Sequence, residues 1–119
     1  MNKLTIIGNL TADPEARTTP DGKPVTNFSV AVNRKKGSTP EADFFRVTAW
    51  NGLGELCAKY LSKGRKVAVI GSISVHPYKD KEGNPKASLE LLAHEVEFLS
   101  SGNTDKETGF IKVEEDFPY

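Results

Sequence analysis

The chain has 119 residues, of which 37% are hydrophobic and 27% are charged, a composition typical of one globular domain with its own core. Sixteen basic and 16 acidic residues give a formal net charge of zero, so overall charge does not indicate a polyanionic partner. The charge is uneven, because residues 105–119 carry five acidic side chains and two lysines, a net of −3, which leaves +3 on residues 1–104. The single Cys57 excludes an internal disulfide and favours a cytoplasmic location, and no apolar run is long enough for a membrane span or signal peptide.

Strands predominate along the chain. Alternating apolar and polar residues predict them at 3–10, 25–32, 43–50 and 66–78, with one or two more within 86–99. Residues rich in Pro, Gly, Asp or Lys separate these strands, and such residues favour turns. They predict a loop or hairpin connection at 13–24, a basic loop at 34–40 and a hairpin tip at 80–84.

One segment changes its period from two residues to about 3.6. Leu53, Leu56, Cys57, Tyr60 and Leu61 recur at helical spacing, which predicts an amphipathic helix ended by the following Lys63-Gly64 pair. Three strands, one helix and two strands form the order of an OB-fold. This all-β fold is a five-stranded Greek-key barrel with one short helix between strands 3 and 4.

Three regions are predicted from this order and from the composition of the C-terminal residues. Residues 1–99 form the OB-fold domain. Residues 100–113 are rich in small and polar residues and predict a short flexible linker without a core. Residues 114–119 form an acidic tip.

The strand at 43–50 has one unusual face. Its odd-numbered positions from residue 45 are apolar and suit a core, whereas Phe44, Arg46, Thr48 and Trp50 interleave two aromatic rings with a cation and a hydroxyl. Exposed aromatic rings stack unpaired nucleobases, and neighbouring cations meet the phosphates. The two rings could instead fill a second core or a subunit contact, and this strand alone leaves both interpretations open.

No residue pattern indicates an enzyme. His76, His94 and Cys57 do not have the spacing of a zinc site, and the chain has neither a phosphate-binding glycine loop nor a nucleophile elbow. The acidic residues within 90–97 alternate with apolar ones, as on the solvated face of a strand. We therefore expect a non-enzymatic binding protein without a metal or other cofactor.

Five ordered segments resemble the bacterial-type single-stranded DNA-binding protein family (SSB). They are GNLTADPEAR (8–17), NFSVAVNR (27–34), DFFRV (43–47), AKYLSKG (58–64) and VIGSI (69–73). The resemblance spans most of residues 1–99 and implies an OB-fold that assembles as a homo-oligomer, commonly a tetramer, with a dimer also possible. It implies that the chain coats and protects single-stranded DNA without strong sequence preference during replication, recombination and repair.

The resemblance also implies roles for single residues. The stacking aromatics of the family correspond to Phe44, Trp50 and Tyr78, and its basic positions that meet the DNA backbone correspond to Arg17, Arg46 and Lys63, with Lys3 as a further one. We expect other cations to contact phosphates as well, namely Arg34, Lys35, Lys36 and Lys79. A solvated charge on a hairpin is an equally good interpretation of Lys79. The sequence departs from the family pattern at two places. Some members have a further stacking aromatic that aligns near Lys36, where this chain has a charge, and the strand at 72–77, which is basic in some members, has no lysine or arginine here.

The chain ends Glu114-Glu115-Asp116-Phe117-Pro118-Tyr119. This pattern of acids, an apolar residue, proline and a terminal aromatic resembles the family tip that docks replication, recombination and repair proteins. The carboxylates would approach a basic rim while the aromatic ring fills a pocket. The alternative is a frayed acidic terminus.

The linker is short, which favours a phage, plasmid or accessory version of the family. The implied location is the bacterial cytoplasm or nucleoid, or the host cytoplasm if a phage encodes the chain. Two alternatives to DNA coating stay open on the residues alone, an OB-fold adaptor between proteins and an RNA-binding module.

Overall fold

The computed structural model describes residues 1–36, 39–99 and 110–114, with side chains described for 1–34 and 41–99. These residues form seven strands and one helix. In chain order they are β1 (Leu4–Leu10), β2 (Glu15–Thr18), β3 (Pro24–Lys36), β4 (Thr39–Trp50), α1 (Asn51–Tyr60), β5 (Lys66–Lys79), β6 (Pro85–Leu99) and β7 (Phe110–Glu114).

Five of these strands close into a barrel. Strand β1 pairs with β5, β5 with β6, β6 with β4, β4 with β3, and β3 returns to β1. The pairing of β4 with β6 is parallel, and the other pairings in the ring are antiparallel. Helix α1 lies between β4 and β5, the third and fourth strands of the ring in chain order. The predicted OB-fold is confirmed.

The core lies inside this ring and is built by alternate residues of each strand. Val30, Val47, Val67, Val69 and Val96 are fully buried, and burying a side chain of this size stabilises the fold by about 1.5–3 kcal/mol. The predicted alternation therefore identifies the inward face over most of these strands. It fails on β5 after the irregularity between Ile70 and Gly71, since Val75 is 60% exposed although Val67 and Val69 are buried.

Helix α1 closes one end of the barrel. Its Leu53 and Cys57 are buried in the core, and the Thr26 hydroxyl donates a buried hydrogen bond of 2.8 Å to the carbonyl oxygen of Gly54. A side chain at Gly54 would collide with the carbonyl oxygen of Ala49. The helix can approach β4 closely because this position is glycine. No helix in the described part of the chain has the length and apolar character needed to cross a membrane.

The predicted loop at 34–40 is wrong. Strand β3 continues to Lys36 and β4 begins at Thr39, so the two strands pair as one long hairpin that leaves only residues 37 and 38 outside the description. The polar strand ends lack the apolar alternation that reveals a strand. They are held instead by backbone pairing and by cross-strand ion pairs between Arg34 and the carboxylates of Glu41 and Asp43.

The connection at 13–24, predicted as a loop or hairpin, forms a hairpin in which strand β2 pairs with the start of β3. All four residues of β2 are exposed, so no apolar pattern could signal this strand. One further boundary differs from the sequence prediction. Helix α1 ends at Tyr60 because Leu61 turns to an extended conformation and packs into the core. Gly64, with a φ of 87°, lies in the turn after the helix and is not its stop.

The C-terminal residues also differ from the expectation. Residues 110–114 form strand β7, which pairs antiparallel with residues 95–99 of β6. The end of the predicted linker and Glu114 of the predicted tip therefore belong to a strand, while residues 115–119 lie outside the described part of the chain. Backbone pairing to an available edge of β6 formed this strand although the segment has no core of its own.

Candidate nucleic-acid interface

The unusual face of β4 points out of the barrel. Residues directly opposite one another in paired strands share a face, as do alternate residues along one strand. Arg46 lies opposite Ser29 of β3 and Glu90 of β6, and the register of β6 with β5 continues this face to Tyr78. We call the shared outward face of β3, β4, β6 and β5 the aromatic face. Its members predicted from the sequence are Phe44, Arg46, Thr48, Trp50 and Tyr78.

The rings of the aromatic face are accessible. Phe44 is 60% exposed and Tyr78 is 49% exposed, whereas Trp50 is partly buried beside its cross-strand neighbour Val25. Phe44 and Trp50 are six positions apart on one strand, which places their backbones about 20 Å apart. The two rings are therefore separate surfaces on this face, with Arg46 and Thr48 between them.

Two of the predicted cations lie on or beside this face. Arg46 is exposed and forms no hydrogen bond or ion pair within the described residues, so its guanidinium is free for a ligand. Arg17 donates from Nε and Nη2 to Oδ1 of Asn27 at 3.3 and 3.0 Å, and Asn27 donates from Nδ2 to the hydroxyl of Thr48 at 2.8 Å. This chain of hydrogen bonds holds Arg17 against the aromatic face, and its remaining N–H groups stay available.

Arg34 lies elsewhere. It shares its face of β3 with Val30 and Val32, which point toward the core, so it is on the opposite side of the hairpin from Phe44. Its guanidinium pairs with Glu41 at 3.2 Å and with Asp43 at 3.0 Å. The sequence predicts neither feature, because the turn-rich residues 34–40 indicate a loop.

The other predicted cations are scattered. Lys3 precedes β1 and Lys79 ends β5 next to Tyr78, and both are exposed. Lys63 lies in the turn after α1, where its backbone N–H donates to Oδ1 of Asp13 at 2.9 Å and ties this turn to the β1–β2 connection. Lys35 and Lys36 end β3, and their side chains lie outside the description.

A groove borders the aromatic face, and no pattern in the sequence predicts it. It has a volume of about 160 Å³ and lies between the β1–β2 connection and the strands β3 and β4. Asp13 and Glu15 line one side, Arg46 the other, and Asn27 and Ser29 lie between them. A third carboxylate, Glu90, lies opposite Arg46 on β6. The interface therefore mixes both charges, and only the strand registers reveal which ones meet.

The described residues contain neither a metal-binding cluster nor a reactive cysteine. No group of three or more His, Cys, Asp or Glu side chains among them is arranged to hold a metal ion. Burial raises the pKa of the Cys57 thiol to about 12, so this cysteine keeps its proton at neutral pH and is a poor nucleophile. The arrangement suits binding by stacking and by charge.

Comparison with known proteins agrees with this geometry. Residues 1–99 match the model of the single-strand binding protein family. The chain is 41% identical over 133 aligned residues to the single-stranded DNA-binding protein of Caldanaerobacter subterraneus, covering 99% of this chain and 88% of the relative. It is 40% identical over 121 residues to the single-stranded DNA-binding protein of Clostridium tetani, covering 98% and 83%. It is 38% identical over 108 residues to single-stranded DNA-binding protein 1 of Staphylococcus aureus, covering 88% and 69%.

These matches confirm the resemblance found in the sequence. They cover the whole barrel, including every strand of the aromatic face. The chain therefore belongs to the single-strand binding protein family, a family of DNA-binding proteins that are not enzymes.

Proposed function

We propose that the chain binds, coats and protects single-stranded DNA without strong sequence preference. The observation that carries this proposal is the aromatic face, where the exposed Phe44 ring and the free Arg46 guanidinium lie together on strand β4, beside β3. OB-folds bind oligonucleotides through the face of these two strands and through the loops that flank it. In this chain the flanking segments are the β1–β2 connection and the β5–β6 hairpin, which carries Tyr78. Family membership supports the same ligand.

The binding energy divides into two parts. Bases stacked on Phe44, Trp50 and Tyr78 contribute roughly 1–3 kcal/mol each, and stacking tolerates any base because every base has a π-face. Arg46 and Arg17 meet phosphates, together with the more peripheral Lys3, Lys63 and Lys79. This second part weakens as salt rises.

We also infer that the chain acts in DNA replication, recombination and repair, in the bacterial cytoplasm or nucleoid. Family membership and the acidic tip at 114–119 support this role, with the tip recruiting partner proteins. A homo-oligomer, a tetramer or a dimer, fits the 51% exposed Ile7 on the outward face of β1. An apolar side chain this accessible is suited to a contact between copies.

The test uses fluorescence anisotropy of labelled oligothymidylate with two matched variants. Phe44 and Val75 are both 60% exposed, but Val75 lies on the opposite face of β5 from Tyr78. Phe44→Ala should weaken binding by roughly 1–3 kcal/mol, about 5- to 150-fold, for the loss of one stacked base. Val75→Ala should change it less than about twofold, because Val75 contacts no base on the aromatic face.

Equal affinities of the two variants would show that DNA does not lie on the aromatic face. Competition by RNA and by duplex DNA of the same sequence completes the experiment. RNA that competes as well as DNA would favour an RNA-binding module. Weak binding that survives the loss of Phe44 would favour a protein adaptor.

A further inference from the structure

The groove beside the aromatic face contains a carboxylate that phosphate binding does not explain. Glu15 lines this groove, faces the bound strand in the proposed function, and forms no hydrogen bond or ion pair within the described residues. A carboxylate repels a polyanion, so it weakens general binding unless it accepts hydrogen bonds from the ligand. The donors on a DNA strand are the N–H groups of its bases.

The strand registers set the width of the groove. Glu15 of β2 lies opposite Asn27 of β3, and Arg46 of β4 lies opposite Ser29 of the same strand. Strands β2 and β4 flank β3, so their backbones are about 10 Å apart. Glu15 and Arg46 therefore stand on opposite walls, with the shorter Asn27 and Ser29 side chains between them.

This spacing suits a single nucleotide that spans the groove, with its phosphate at Arg46 and its base edge at Glu15. The volume of about 160 Å³ is several times the roughly 30 Å³ that one water occupies. Part of the neighbouring polar surface is already engaged, since Asn27 joins Arg17 to Thr48 and Oδ1 of Asp13 accepts from the backbone of Lys63. Glu15 is thus the carboxylate on this wall whose two oxygens both lack a partner among the described residues.

Guanine is the base that matches a carboxylate best. It presents two N–H donors side by side, on N1 and on the amino nitrogen N2, both bonded to C2, and the two oxygens of a carboxylate accept from them together. Thymine presents one N–H, whereas adenine and cytosine present a single amino group, so each of them offers a carboxylate only a one-point contact. A good two-point contact discriminates between bases by about 1–3 kcal/mol in protein–DNA complexes.

We propose that this groove is a guanine subsite, in which Glu15 accepts from N1–H and N2–H₂ while Arg46 meets the phosphate of the same nucleotide. The inference rests on the proposed binding of single-stranded DNA. It adds a modest base preference to binding that is otherwise insensitive to sequence. The carboxylate thereby costs affinity for thymine-only strands and recovers it where guanine is present.

The experiment compares strands of equal length built from TTG, TTI, TTC or thymine alone, where I is inosine, which lacks the N2 amino group. Because the sequence repeats every three nucleotides, a shift of the strand by at most two nucleotides always brings a guanine to the groove. The two thymines between successive guanines keep the guanines apart. The full chain should bind the TTG strand at least about fivefold more tightly than the TTI strand. Glu15→Gln should remove this difference and should bind thymine-only strands equally well or more tightly.

Glu90→Gln is the matched control, because Glu90 is a carboxylate on the aromatic face but does not line the groove. It makes the same charge change and should keep the preference for TTG over TTI. Equal affinities for TTG and TTI in the unaltered chain, with thymine-only strands still bound, would overturn the guanine subsite and leave the proposed function standing. A preference unchanged in Glu15→Gln would also overturn it. Failure to bind any of these strands would remove the proposed function itself.

Discussion

Arg46→Ala and Arg34→Ala each remove one positive charge, but the two arginines lie on opposite faces of the β3–β4 hairpin and differ in their ion pairing. Arg46 is exposed on the aromatic face and forms no ion pair within the described residues, whereas Arg34 is on the other side of its hairpin and is paired with Glu41 and Asp43. We expect Arg46→Ala to weaken binding of oligothymidylate and to lower its salt dependence. Arg34→Ala should leave the salt dependence near that of the unaltered chain.

The magnitude follows from counterion release. Each phosphate neutralised on a single strand contributes about −0.7 to the slope of log affinity against log salt. Losing one contact should therefore make the slope of Arg46→Ala shallower by about 0.7. Between 50 and 200 mM salt, the affinity ratio of the unaltered chain to this variant should shrink about 2.6-fold.

The free energy of unfolding should respond in the opposite order, with the larger effect for Arg34→Ala. The side chain of Arg34 is 46% exposed, and exposed ion pairs contribute about 0–1 kcal/mol each. Arg34→Ala should therefore lower the free energy of unfolding by less than about 2 kcal/mol, measured by urea denaturation. Arg46→Ala should lower it by less than about 0.5 kcal/mol, because this side chain is exposed and forms no hydrogen bond or ion pair within the described residues.

The assay is a set of anisotropy titrations at four or five salt concentrations for the three proteins. If both variants had the slope of the unaltered chain, Arg46 would not meet a phosphate and the electrostatic part of the proposal would fail. A larger change for Arg34→Ala would place the DNA on the opposite side of the hairpin.

Three further predictions concern the tip, the helix contact and the buried thiol. Removing residues 115–119 leaves β7 whole and should raise DNA affinity slightly at low salt, because the acidic tip competes with DNA for the basic surface. The same truncation should abolish the capture of partner proteins in a pull-down from a bacterial lysate. Identical partners with and without residues 115–119 would show that the tip is only a solvated tail. Gly54→Ala should lower the free energy of unfolding by about 1–3 kcal/mol, because the new methyl group meets the Ala49 carbonyl, and an unchanged urea midpoint would contradict this contact. Burial raises the pKa of Cys57 from 9.0 to about 12, so the folded chain holds this proton at pH values where the unfolded chain loses it. Below pH 9, this thiol should therefore make no pH-dependent contribution to the free energy of unfolding. That free energy should fall as the pH rises from 9 toward 12, by at most about 1.4 kcal/mol per pH unit. Cys57→Ser should show a smaller decline between pH 9 and 10 in urea denaturation, and an equal decline would mean that the thiol does not cause it.

Sequence reasoning worked where a local period sets the structure. Side chains alternate along a strand, so the positions of Phe44, Arg46 and Trp50 on one face followed directly from their spacing. The same period identifies Val30, Val47 and Val69 as core residues. The helix was found because Leu53 and Cys57 recur at helical spacing.

Features that depend on the pairing of strands far apart in the chain could not be predicted from the sequence. The polar end of β3 predicts a loop at Arg34, and only the pairing with β4 shows that Arg34 lies on a strand, on the same face as Val30. Glu15 lies 31 positions before Arg46, and the groove that joins them depends on the registers of both β2 and β4 with β3. Strand β7 depends on an edge of β6 that no local pattern reveals.

The central claim is that single-stranded DNA stacks on the aromatic face, and the fluorescence of Trp50 tests it most directly. Trp50 is the only tryptophan of the chain, so its emission reports on this face alone. Titration of the full chain with oligothymidylate should quench this emission to a plateau, and added salt should reverse the quenching. Unchanged emission at DNA concentrations that saturate the anisotropy signal would place the bound strand away from Trp50 and contradict the account.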